Sequence, residues 1–170
     1  MTSTLIVEDG TNVSGADAYA SSSFVDTYWA GRTTNALATV WAAATQTLKD
    51  SAIRIATEYL DAKYRWKGNT AYDSQSLLWP RIGVYTDRHI ELTYQVPLNV
   101  QRAVAELAAR ALTQDLYADT DRDNWAKSQK VGPIETTYME GAPTEPGFPF
   151  VTSLLKGLAT TSSSFDLVLG

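Results

Sequence analysis

Any chemistry in this chain has to come from few residues. His89 is its only histidine, and cysteine is absent. A serine nucleophile needs a histidine base steadied by a carboxylate, and the G-x-S-x-G turn that would present the serine does not occur. Phosphate-cradling loops of the G-x-x-x-x-G-K-[ST] or G-x-G-x-x-G kind are also missing. One histidine cannot make a multi-histidine metal site, and thiolate zinc and disulfides are excluded with cysteine. Asp119, Asp121 and Asp123 form a D-x-D-x-D run, but Asn124 and Lys130 stand where a calcium loop needs glycine and glutamate. That run reads as a solvated acidic turn. Glu58 and Asp61 lie three apart on a helix with nothing converging on them, and they too read as solvated charges. The expectation is a non-enzyme with no catalytic, metal or cofactor site.

The constellation that remains is aromatic and basic. Residues 63–89 carry Lys63, Arg65, Lys67, Arg81 and Arg88 against Asp73 and Asp87, a local balance of +3 within a chain of net charge −5. Arg65, Trp66, Lys67 and Tyr85 make a candidate single-stranded DNA patch, because bases stack on rings while cations hold phosphates. The chain as a whole is acidic, with a pI near 4.8, which opposes tight non-specific duplex binding. Trp66 and Trp79 suit equally well a plug between helices. In "SLLWPRIGVYTDRHI", Ser76 to Ile90, the Trp79-Pro80-Arg81 triplet reads as a structural lock. Proline extends the residues before it, tryptophan anchors them, and Arg81 is left for a carboxylate or a neighbouring subunit. "GVYTDRHIEL" predicts a small hairpin turning at Thr86 to His89.

These residues must be positioned by helices. Tyr19, Phe24, Tyr28 and Trp29 recur at near-helical spacing, after a capping-box-like Ser14 and Asp17 and before Gly31. A second helix runs from a cap at Thr45 or Thr47 to about Lys63, with Leu48, Ala52, Ile55, Tyr59 and Ala62 on one stripe. A third begins near Pro97 and continues toward Asp119, its apolar face formed by Val100, Val104, Leu107, Ala108, Ala111 and Leu112. Between the second and third lies a long irregular stretch, about Trp66 to Val96, of a length that in compact domains usually serves function. A short strand is expected at Thr4–Val7, another at "VGPIETTYME" (residues 131–140), and a short helix at "VTSLLKGL" (residues 151–158). The last residues form a Ser/Thr spacer ending in an apolar hook of Phe165, Leu167, Val168 and Leu169.

At 170 residues with 44% hydrophobic content, the chain is long enough for one unstapled core. It has no run of the roughly 18 apolar residues that a membrane helix needs, and its first residues do not read as a secretory signal. The expected fold is mainly α: a small helical bundle with a minor β-hairpin or strand element. It comprises one domain over 1–158 and an extended C-terminal arm over 159–170.

Four segments in order, "AIRIATEYLDAKYRWKG", "YDSQSLLWPRIGVY", "VPLNVQRAVAELAARAL" and "KVGPIETTYMEGAP", resemble a family of small tailed-bacteriophage proteins. Its members are often labelled DnaT-like single-stranded DNA-binding proteins, yet they look like head–tail connectors (adaptor or head-completion proteins). The resemblance spans about residues 13 to 158. It implies a virion component of the neck, made in the host bacterial cytoplasm, whose ring would be twelve-fold. Its partners would be the portal protein and the tail or tail-terminator proteins, and packaged DNA would slide past an acidic wall without sticking. Alanine-rich helix faces suit packing in such a ring, and the Phe165–Leu169 hook suits docking on the portal or a neighbour. The alternative is a single-stranded DNA-binding protein of phage replication that uses the patch within 63–89.

Overall fold

Two side-chain caps and one proline start the three principal helices. Ser21 accepts a hydrogen bond from the Phe24 amide and opens α1, Ser22–Ala30, which closes at Gly31. Thr45 accepts from the Leu48 amide and opens α3, Gln46–Lys63. Pro97 precedes α4, Leu98–Ala111. In this computed structural model, residues 4–86, 89–117 and 147–161 are described. The other elements are α2 (Ala36–Ala43), α5 (Pro149–Leu154) and four short strands: β1 (Tyr64–Trp66), β2 (Asn69–Thr70), β3 (Arg81–Ile82) and β4 (Ala159–Thr161). The fold is mainly α with a minor β element. β1 pairs antiparallel with β4, and β2 with β3.

Helices α3 and α4 form the central pair. α3 buries Ile53, Ala56 and Leu60, and α4 buries Val100, Ala103, Val104, Leu107 and Ala108, all 0% exposed within one core. The buried face of α3 differs from the predicted stripe: Leu48 is 53% exposed and Ala62 is exposed, while Ile53, Ala56, Thr57 and Leu60 point inward. Alanines at 52 and 56 blurred the apolar periodicity. α4 ends at Ala111 rather than near Asp119, since the Thr113 amide and hydroxyl both donate to the Arg110 carbonyl and turn the chain. α2 was not expected; its sequence, ALATVWAA, is apolar around most of its circumference and shows no stripe.

The predicted capping box has a different use. Asp17 accepts from the Ile6 amide (2.8 Å) and pairs with Arg54, tying the N-terminal stretch to α3. The expected strand at Thr4–Val7 is reduced to a single parallel bridge, Val7 to Ala18. The short helix expected at 151–158 begins two residues earlier and gives way to a turn after Leu154. The predicted arm does not begin free of the domain, because its first three residues are β4. The strand expected at 131–140, the acidic run at Asp119, Asp121 and Asp123, and the hook residues Phe165, Leu167, Val168 and Leu169 lie outside the described residues.

Candidate nucleic-acid interface

β1 has two faces. Tyr64 and Trp66 turn inward and Arg65 turns out, the alternation that any strand imposes. Opposite it on β4, Thr160 pairs with Arg65 and Ala159 with Trp66. The Lys67 amide continues the ladder by donating to the Leu158 carbonyl at 2.9 Å. Segments 62–72 and 147–161, which build this ribbon and its flanks, contain Lys63, Arg65, Lys67 and Lys156 and no Asp or Glu. Arg65, Lys67 and Lys156 are exposed. Neither Arg65 nor Lys67 has an ion-pair partner among the described residues. In an acidic protein this is a local cationic strip.

The inward face is fixed by a carboxylate. Asp61, on the last turn of α3, accepts the Tyr19 hydroxyl (2.7 and 2.8 Å to its two oxygens), the Trp66 indole N–H (2.9 Å) and the Leu78 amide (3.2 Å). Tyr19 Oη in turn accepts from the Trp79 amide at 3.1 Å. Burial raises the Asp61 carboxyl above its ordinary 3.8 despite the hydrogen bonds from Tyr19, Leu78 and Trp66, which pull the other way. Burial, with the Asp61 charge added, also pushes the Tyr19 phenol well above 10.0. Asp61 is therefore not the solvated charge that the sequence suggested. The residue was missed because its partners lie 42 positions before it and 17 after it, out of reach of any helical pattern.

Trp79 is 0% exposed, with its ring edge-on to Trp66 at a centroid distance of 5.6 Å. Pro80 is buried, and the peptide before it is cis. Arg81 forms no ion pair with a carboxylate among the described residues. Its Nε and two terminal nitrogens donate to the carbonyls of Lys67 (2.7 Å), Leu78 (2.9 Å) and Gly68 (2.7 Å), a planar fork filled by backbone. Burial lowers its ordinarily very high pKa. Arg81 thus joins the loop bearing Trp79 to the β1–β2 turn and is subtracted from the cationic patch.

Three of the four patch residues are available to a ligand. Arg65 and Lys67 are exposed, and Tyr85 is 54% exposed. Trp66 is 8% exposed and its ring is occupied by Trp79, so it is not a stacking surface. Tyr85 sits on the predicted hairpin, closed by the Tyr85–Glu91 bridge and by hydrogen bonds from the Thr86 amide to Ile90 and from the His89 amide to Thr86. His89 is exposed there; Arg88 lies outside the described residues. Gly68 brings the hairpin beside Lys67. At φ +68°, a Cβ added to it would overlap the Ile82 carbonyl and lie 2.9 Å from Val84 Cγ2.

A family model described as "Putative DnaT-like ssDNA binding protein" matches residues 3–170. The chain belongs to that family. Comparison with curated proteins and with solved structures finds no match. Membership corrects the connector reading: the family is not a head–tail connector family, so the portal and tail partners and the twelve-fold ring are overturned in favour of the alternative. The helix faces agree with the correction. Ala52, Ala56, Ala103, Ala105, Ala108 and Ala109, which suited packing between subunits, are at most 2% exposed within this one chain.

Proposed function

We propose that the protein binds single-stranded DNA through the outer face of the β1–β4 ribbon and acts by binding alone, without catalysis. The observation that carries this reading is that Arg65 and Lys67 are exposed with no ion-pair partner among the described residues, and that the Tyr85 ring is exposed on the hairpin whose Val84 packs against Gly68. The cations neutralise backbone phosphates, and the ring offers one stacking surface to a splayed base. The printed description of the family supports the same ligand. The acidic balance elsewhere confines binding to this strip, so affinity depends on few phosphate contacts and is modest. Action in the host bacterial cytoplasm, where the chain is made, belongs to this proposal.

The test is fluorescence anisotropy with a labelled oligo-dT at low salt, beside a duplex of equal length. The reading expects binding of the single strand that weakens at least about tenfold in Arg65→Ala/Lys67→Ala and weakens further as salt is added. Equal binding by that double variant would refute the ribbon as the site.

A further inference from the structure

We infer that the depression between β1 and the β2–β3 hairpin is a subsite for one unstacked nucleobase of the bound strand. It has an open volume of about 550 Å³, within the range of small-ligand sites. This inference rests on the single-strand reading and adds base selectivity to it. Arg65 stands on the rim, Asn69 and Thr70 supply the polar wall, and Leu78 and Ala62 supply apolar surface. Leu78 is 38% exposed, more than a core leucine would be.

The chemistry favours a base over a phosphate inside the depression. Asp61 also lines it, and a carboxylate there repels a phosphate and leaves the anion to Arg65 at the mouth. Asp61 and Arg81 are already engaged, one by three donor groups and the other by three carbonyls. They shape the floor without reading a ligand. The Asn69 amide and Thr70 hydroxyl are different: both residues are exposed, and neither side chain has a hydrogen-bond partner among the described residues. An asparagine amide presents a donor and an acceptor side by side and pairs with the N6 and N7 edge of adenine. Trp79 is buried, and Trp66 lines the depression with only 8% of its surface exposed, so little tryptophan face is offered there. The base is held there by its edge, and edge contacts discriminate where stacking is tolerant.

The experiment compares dA12, dT12 and dC12 binding to wild type, Asn69→Ala, Leu78→Trp and Arg65→Ala, with melting curves to confirm folding. The subsite predicts dA12 bound about threefold or more tighter than dT12. That gap should close in Asn69→Ala, and in Leu78→Trp, which fills the depression, while dT12 affinity stays within about twofold. Arg65→Ala should weaken all three oligonucleotides together and keep the gap. If the homopolymers bind alike and only Arg65→Ala has an effect, the subsite is refuted and the ribbon reading survives. If no oligonucleotide binds wild type, both fall.

Discussion

Between Asp61 and Arg81, inward-facing and outward-facing residues do opposite work. Facing in, Asp61, Trp66, Trp79 and Arg81 are bonded to one another's neighbourhood through named donors and acceptors, and Trp79 is wholly buried. Facing out, Arg65, Lys67, Asn69 and Thr70 are exposed. The same three-residue strand contributes to both sets, so one residue step separates a change that damages the fold from one that damages only binding. Residue type does not separate the sets: Arg81 is as basic as Arg65, yet its fork is filled by three carbonyls.

The largest effect expected on the inner face is Asp61→Ala. It strands the Tyr19 hydroxyl, the Trp66 indole and the Leu78 amide, and orphaned buried donors cost roughly 1–3 kcal/mol each. A loss of about 3 kcal/mol or more in urea unfolding is expected; a loss below about 1 kcal/mol would show that the network does not hold this region. Trp66→Ala belongs to the same class, at roughly 3–5 kcal/mol for a large buried aromatic. Were Trp66 instead a stacking ring, stability would hold and oligonucleotide affinity alone would drop.

Gly68→Ala comes next. Its left-handed backbone and the nearby Ile82 carbonyl leave no room for a methyl group, so a loss of about 2 kcal/mol is expected. DNA affinity should fall with it, since the turn sets Lys67 beside the Tyr85 hairpin. A variant as stable as wild type would show that the turn relaxes freely.

A smaller effect is the pH dependence. Burial raises the folded-state pKa of Asp61 above 3.8, so the folded chain holds this proton more tightly than the unfolded one. The group's contribution to stability therefore grows as pH falls through the raised folded value and is complete below 3.8. It is lost as pH rises back through that folded value. Wild type should gain stability relative to Asp61→Asn on going from pH 7 to pH 4.5, measured by urea midpoints. A constant difference would mean that the carboxylate is not desolvated as described.

The smallest stability effects belong to the outer face, where Arg65→Ala and Lys67→Ala should each stay within about 0.5 kcal/mol of wild type.

Much of the scaffold was legible because local rules govern it. The cap at Thr45, the proline before α4 and the close of α1 at Gly31 could each be read within a few residues. The hairpin at Tyr85–Glu91 could be read from its turn. α2 was illegible because eight mostly apolar residues carry no stripe, and Asp17 misled because a residue suited to a cap was claimed by Ile6 and Arg54. The patch was half legible. Residue types in 63–89 pointed to cations and rings, but only the strand's inward and outward alternation removes Trp66, and only the fold consumes Arg81. Asp61 was hidden entirely, since its meaning depends on Tyr19 and Leu78 arriving from opposite directions in sequence.

The most direct test of the account is the salt dependence of oligonucleotide binding in wild type and in Arg65→Ala/Lys67→Ala, with unfolding measured on the same samples. Each phosphate contact on a single strand contributes a slope of about −0.7 in log affinity against log salt. The account predicts that the double variant loses about 1.4 of that slope while its stability is nearly unchanged. An unchanged slope, or no salt-sensitive binding in wild type, would contradict it.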